Sequence, residues 1–314
     1  MKSLFRLIRL PNLIIVALTQ YALQYAILLP ELGKIGLKPL LPHLQFSLLV
    51  CSTVLIAAGG YVVNDIEDVD IDRLNKPEHK RIVGRVYPLS IAWKIYWLIK
   101  ILGFGISLYL AFFIHDFVQL AIYPAAVALL WAYSKWFKRQ FLIGNLVVAG
   151  FCAFVAWVVL YAQSLYTLTP SEIELMPKYG LMDYKITVNL VFGGYAIFAF
   201  ISTLFRELIK DMEDVAGDKA QGCRTIPIVL GIKTTKIITF LIGSVFILIV
   251  LFFSYLIKTN YIKLFFLNIT ILFPVIYALF LLIKSKEKAD YSLLSKLAKL
   301  IMLSGLIFIL IMVN

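Results

Sequence analysis

Two short acidic stretches carry the residue types best suited to chemistry. The first, Asn64 to Asp72 (NDIEDVDID), sets Asp65, Glu67, Asp68, Asp70, Asp72 and the carboxamide of Asn64 at the end of an apolar run. On a helix turning about 100° per residue, Asn64, Asp68 and Asp72 share one face, with Asp65 beside Asp68, while Glu67 and Asp70 point elsewhere. The second, Lys210 to Asp218 (KDMEDVAGD), sets Asp211, Asp214 and Asp218 at i, i+3 and i+7, again along a single face. The two lie 146 residues apart (Asp68 to Asp214) and each is trailed by Lys and Arg, the pattern of a weak internal duplication. A lone carboxylate at a helix end is ordinarily a solvated one. Two aligned acidic faces repel themselves unless cations neutralise them, so something positive belongs there.

Oxygen donors without Cys or His select a hard cation, and an open set of carboxylates plus one amide suits Mg²⁺, which shares its shell with water and substrate phosphates. A calcium loop is excluded. Asp68, Asp70 and Asp72 give its opening, but Arg73 stands where the turn glycine belongs and His79 where the closing Glu belongs. The nearby Lys and Arg then read as partners of phosphate oxygens. The chemistry that fits is Mg²⁺-assisted departure of a diphosphate, with two metal-binding faces neutralising the charge on the leaving oxygens.

The elements that position these residues are membrane helices. Of 314 residues, 61% are hydrophobic and 15% charged, against about 25% charged in soluble domains. Mean hydropathy is +0.91. At about 20 apolar residues per span, nine are expected, at roughly 12–31, 44–64, 90–113, 117–134, 141–164, 186–206, 236–257, 262–283 and 297–313. The expected fold is therefore all-α, a single transmembrane domain over 1–314 with the acidic motifs at the ends of helices two and six. With the N-terminus inside, the inner segments hold 22 Lys and Arg and the outer ones 6, which places both motifs on the cytoplasmic side of the inner membrane. The basic N-terminus leads into an apolar run with no small-residue cleavage site, so it reads as a retained first helix. The outer segment 165–185 reads as a short cap helix or an unstructured link, and Pro274 as a kink in the eighth span. The net charge of +12 is dispersed over connecting segments with no nucleic-acid-binding signature. Three cysteines and three histidines, widely spaced, indicate neither a disulfide framework nor a zinc site.

Asn64-Asp65-x-x-Asp68-x-x-x-Asp72 and Asp211-x-x-Asp214-x-x-x-Asp218, on the second and sixth of nine helices, resemble the paired motifs of the UbiA-type intramembrane prenyltransferases. Tyr133-Ser134-Lys135-Trp136-Phe137-Lys138-Arg139 is similar to that family's Tyr-and-Lys loop between helices four and five. The resemblance covers essentially the whole chain. It implies two Mg²⁺ ions that bridge the Asp faces to the diphosphate of a polyprenyl donor, whose allylic cation then alkylates an acceptor. It further implies that Asn64, Asp68 and Asp72 hold one metal, supported by Asp65, and that Asp211, Asp214 and Asp218 hold the other. Arg81 and Lys138 would contact diphosphate, with Arg139 and Lys210 as further candidates. Arg9 resembles a basic residue near the acceptor pocket, and Tyr133 is either a cation-stabilising ring or an interfacial belt aromatic. The phrases YSKWFKRQFLIGNLVVA and FRELIKDMEDVAGDKAQGCRTIP look most like the branch that alkylates geranylgeranylglyceryl phosphate. The aromatic-acceptor branches of quinone synthesis share much of this pattern, and a basic excess fits either acceptor.

Three rival readings fit less well. A CDP-alcohol phosphotransferase needs D-x-x-D-G-x-x-A-R, and Val69 stands in place of its Gly with no Ala-Arg pair following. A soluble prenyl diphosphate synthase needs D-D-x-x-D in a water-soluble chain. A cation transporter carries its acids near the bilayer midplane on broken helices, whereas these lie at span ends.

Overall fold

In lipid, a helix is the open-chain structure that satisfies every backbone polar group within its own segment, so long apolar runs become helices. The computed structural model describes residues 2–75, 78, 81–163 and 178–312. Apart from an isolated bridge between Val83 and Tyr87, the ordered elements among them are helical. In chain order they are α1 (Lys2–Leu7), α2 (Leu10–Lys34), α3 (His43–Glu67), α4 (Val69–Asn75), α5 (Leu89–Ile114), α6 (Val118–Lys135), α7 (Ile143–Ala162), α8 (Lys178–Ala220), α9 (Ile226–Val229), α10 (Gly231–Leu256), α11 (Tyr261–Lys284) and α12 (Lys288–Ile311). Among the described residues eight helices are long and apolar enough to cross a membrane, namely α2, α3, α5, α7, α8, α10, α11 and α12. The fourth of the nine expected spans is α6, which carries a shorter apolar segment, Leu120–Lys135. The protein is an all-α integral membrane protein.

Local chemistry explains the breaks. Between α5 and α6, His115 takes a left-handed conformation (φ 54°) and Asp116 Oδ1 accepts from the Val118 N–H at 2.9 Å, an Asx turn that starts the next helix. In α2 and α11 a π-helical turn lies just before an internal proline, Leu23–Leu28 ahead of Pro30 and Asn268–Leu272 ahead of Pro274, whereas α6 carries Pro124 without one. A proline ring lacks the N–H that the carbonyl four residues back requires, and a wider turn relieves the clash. The kink expected at Pro274 takes this form.

α8 departs from the expected 186–206 span. It runs 43 residues, about 64 Å at 1.5 Å per residue, against a hydrocarbon core of about 30 Å. Hydropathy falls at Arg206, but Arg, Glu, Leu, Lys and Met are all good helix formers, so the helix continues unbroken through the second acidic motif. The expected outer segment 165–185 lies outside the described residues as far as 177; from Lys178 the chain is helical.

The helices gather into two compact units. The first takes in Met1–Tyr21, Lys38–Lys138 and the chain from Val159 at the end of α7; the second takes in Ala22–Leu37, Arg139–Val158 and the C-terminal helices. In the first unit α5 packs along α3 more extensively than any other pair, around a core of Leu7, Val62, Val63, Ile66, Ala92 and Tyr96. Within it Lys100, 6% exposed, donates to the Ile56 carbonyl at 3.3 Å and lies 5.4 Å from the Tyr96 ring centre. Gly59 makes that possible, because a Cβ there would stand 2.4 Å from the Lys100 amine.

In the second unit α8, α10, α11 and α12 enclose Phe205, Ile209, Ala278, Leu279 and Leu294, with Phe246, Val275 and Ile301 farther along. Gly305 of α12 faces the Phe198 ring so closely that an added Cβ would meet it at 2.1 Å. Gly305→Ala is therefore expected to destabilise the protein by about 1–3 kcal/mol through overpacking, read as a lower thermal unfolding midpoint in detergent. An unchanged midpoint would show that this contact relaxes freely.

Candidate functional site

The first acidic motif lies wholly in the first unit. α3 ends at Glu67, and Asp68 (φ −94°, ψ 1°) links it to α4. The single uninterrupted helical face expected for Asn64, Asp68 and Asp72 is thus broken at its middle residue. The spacing survives because the Asp68 N–H still reaches the Asn64 carbonyl at 3.1 Å and the Asp72 N–H reaches that of Asp68 at 2.7 Å.

Side chains close the cluster. Asn64 Nδ2 donates to Asp68 Oδ2 at 3.1 Å. Lys138 Nζ donates to Asp68 Oδ1 at 2.6 Å and to Asn64 Oδ1 at 3.1 Å. Lys138 rides on a 3₁₀ turn, Phe137–Arg139, that follows α6 directly. The cation is held by two oxygens of a half-buried site, where its side chain is 14% exposed and that of Asp68 is 21% exposed. Desolvation of this kind makes charged hydrogen bonds stronger than surface ion pairs.

The other basic candidates of this unit divide. Arg9, in the break between α1 and α2 with φ 52°, sets its guanidinium 4.8 Å from the Tyr61 ring centre and 3.4 Å from Asp65 Oδ1. It thereby adjoins the first cluster. Arg81 donates to the main-chain carbonyl of Arg73 at 2.8 Å, just beyond Asp72. Asp70 faces away as its position in the helix requires, 91% exposed and paired with Arg73 at 3.3 Å. Tyr133, in the last turn of α6, is half-buried.

The second motif lies wholly in the second unit, in the last turns of α8. Asp211, Asp214 and Asp218 are half-buried along its face, and Lys210 is exposed. Asn145, in the first turn of α7, donates Nδ2 to Asp211 Oδ2 at 2.7 Å. After α8 the chain turns at Gly222 (φ 68°), where the Cys223 N–H returns to the Asp218 carbonyl at 3.0 Å. The Arg224 N–H then bonds the Arg139 carbonyl at 2.8 Å, within the same unit.

Sequence reasoning missed two residues here. Asn145 is an isolated amide inside an apolar run, and that isolation is the signal: a carboxamide is costly there unless it has a partner. Glu207 stands one turn before Asp211, extending the series to i, i+4, i+7 and i+11, and it pairs with its neighbour Arg206. A third signal lies in the motifs themselves. At the offset of 146 both read D-x-E-D-V-x-x-D, from Asp65 to Asp72 and from Asp211 to Asp218. Their surroundings nevertheless differ, since the carboxamide contacts Asp68, the fourth residue of one motif, and Asp211, the first of the other.

Both clusters fit a hard divalent cation by donor type, offering carboxylate and carboxamide oxygens without sulfur or imidazole. Among the described residues no three acidic, His or Cys side chains converge on one point. Such a set suits Mg²⁺, which retains several waters and takes further oxygens from substrate phosphates, and not a cation caged by protein alone.

Comparison with known proteins places the sequence and the fold. The sequence profile of the UbiA prenyltransferase family matches residues 33–302. A digeranylgeranylglyceryl phosphate synthase of Sulfolobus acidocaldarius is 34% identical over 206 residues, covering 66% of this chain and 64% of that protein, so this chain spans less than two thirds of that relative's length. A solved structure concerning digeranylgeranylglyceryl phosphate synthase in membranes has a TM-score of 0.61 at 24% identity, covering 98% of each chain. A UbiA homolog from Archaeoglobus fulgidus, solved with DMAPP and Mg²⁺, has a TM-score of 0.56 at 15% identity over 98% of this chain and 99% of that one. With 270 of its 314 residues inside the family profile, the chain belongs to the UbiA prenyltransferase family.

Proposed function

We propose that this protein transfers an isoprenyl group from a polyprenyl diphosphate, geranylgeranyl diphosphate by preference, to the hydroxyl of a phosphorylated glycerol lipid, geranylgeranylglyceryl phosphate, releasing diphosphate. The observation that carries the reading is the pair of oxygen-only clusters, each built on a membrane helix and braced by a carboxamide. Asn64, Asp68 and Asp72, with Asp65 in support, serve one Mg²⁺; Asp211, Asp214 and Asp218 serve the other. When bound, the metal neutralises negative charge on the diphosphate oxygens and so eases departure of the leaving group. The rest falls to the chain. Lys138 donates to the diphosphate as the bond to the prenyl carbon weakens. Arg81, Arg139 and Lys210 add positive potential that draws in an anionic donor. The apolar helices shelter the hydrocarbon and keep water from the allylic cation. The name of the Sulfolobus relative and the Mg²⁺ and DMAPP bound to the Archaeoglobus homolog support this choice of acceptor, donor class and metal.

The deciding experiment incubates the purified protein with geranylgeranyl diphosphate and, in parallel, geranylgeranylglyceryl phosphate, hydroxybenzoate or dihydroxynaphthoate. Alkylation of the glycerol phosphate lipid alone is expected, lost in EDTA and restored by Mg²⁺. Alkylation of an aromatic ring instead would assign the protein to quinone synthesis, and full turnover in EDTA would remove the metal from the reaction.

A further inference from the structure

Lys138 is bonded to the same two groups that the first cluster would offer to a metal. Its ammonium lies 2.6 Å from Asp68 Oδ1 and 3.1 Å from Asn64 Oδ1, while Asn64 Nδ2 occupies the remaining Asp68 oxygen at 3.1 Å. The three groups thus form a closed ring of hydrogen bonds. A Mg²⁺ bound to Asp68 Oδ1 at about 2.0–2.1 Å would lie less than about 5 Å from the ammonium, and two cations so close in a half-buried site repel strongly. The metal and the ammonium therefore compete for the same oxygens.

The second cluster is built differently. Asp211 is braced by Asn145, which is neutral and engages one oxygen, Oδ2. Among the described residues no ammonium or guanidinium lies within ion-pair distance of Asp211, Asp214 or Asp218. The chain thus places a bonded ammonium in the first cluster and none in the second.

We infer that Lys138 is an internal counter-ion that keeps the first cluster closed to metal until a diphosphate gives the ammonium another partner. Metal and donor then enter the first cluster together, while the second cluster takes its metal alone. The inference rests on the prenyl diphosphate reading and adds an order of binding to it. Because coupling between two ligands is reciprocal, the metal at the first cluster and the diphosphate each tighten the other. The same lysine thus costs metal affinity in the free protein and supplies diphosphate affinity in the complex. An empty site that held two unneutralised acidic clusters would be less stable, which gives the arrangement a reason beyond ordering.

The test counts Mn²⁺ ions by the electron paramagnetic resonance of free Mn²⁺ during titration of the intact protein in detergent, with no donor present. The wild type is expected to bind one ion per chain with the higher affinity. Lys138→Met is expected to bind two, the affinity of the added site rising by about ten- to a hundredfold, the equivalent of one charged hydrogen bond. Lys138→Arg, which retains a cation, is expected to bind one. Asp68→Asn in the Lys138→Met background is expected to return the count to one, and this locates the added ion. Inorganic diphosphate, with its own chelation subtracted from a protein-free titration, is expected to bring the wild type to two. Equal counts and affinities within twofold for wild type and Lys138→Met would overturn the inference while leaving the two-metal reading intact. Failure of every protein to bind Mn²⁺ at millimolar concentration would overturn both. Size-exclusion profiles and thermal midpoints matching the wild type certify the variants as folded, and Lys138→Gln replaces Lys138→Met where they do not.

Discussion

Asp211→Ala is expected to abolish prenyl transfer, with kcat falling by at least about 10³-fold while the protein stays folded. The side chain removed is the one that Asn145 holds at 2.7 Å, one turn after Glu207 on the acidic face of α8. Loss of a metal ligand forfeits several kcal/mol of stabilisation of the leaving charge, and about 4 kcal/mol corresponds to 10³ in rate. Asp68→Ala is expected to be comparably severe, since it removes the carboxylate whose two oxygens are held by Asn64 and Lys138. Asp70→Ala serves as the internal control. Its carboxylate is exposed and, among the described residues, pairs with Arg73 on its own helix, so the variant's rate is expected within about twofold of wild type. Diphosphate release measured on detergent-purified variants checks all three. An Asp211→Ala enzyme with more than a tenth of wild-type turnover would show that α8 does not serve the reaction.

Lys138→Ala is expected to lower kcat as well as donor affinity, with kcat/KM reduced by about 10- to 150-fold. The charged hydrogen bond lost is of a kind worth about 1.5–3 kcal/mol, and it strengthens as negative charge builds on the departing oxygen, which places part of the effect in kcat. A lysine that merely marked the cytoplasmic side would give a loss under about twofold, because Lys135 and Arg139 preserve that bias. Steady-state kinetics in reconstituted membranes separate the two. The result gains force beside the metal titration, where loss of the same ammonium in Lys138→Met is expected to increase Mn²⁺ binding. A change that merely damaged the site would lower both quantities.

The separation of legible from illegible features follows particular residues. The motif around Asp68 was visible because charged groups at the end of an apolar run are too costly to be incidental. Lys138 was visible as a basic residue in a recognisable loop, but its bonds to Asn64 and Asp68 span 74 and 70 residues, and no local pattern encodes a contact of that range. Asn145 escaped notice since its partner lies 66 residues away. The length of α8 was underestimated because hydropathy reports where lipid ends, not where hydrogen bonding ends, and the charged residues after Arg206 continue the helix. The break at Asp68 lay beyond a reading that extends one helical period through every motif.

The sequence by itself determined that this chain is a membrane protein of apolar helices and that it carries two acidic motifs whose oxygen donors suit a hard cation. These are consequences of composition, span length and donor type, which are local and additive. Only the tertiary structure decided how each motif is held, by the ammonium of Lys138 in the first unit and by the uncharged amide of Asn145 in the second. It also decided that the helices divide into two units with one motif in each. Charge compensation in a half-buried site depends on which side chain arrives within about 3 Å, and that is settled by the packing of helices far apart in the chain.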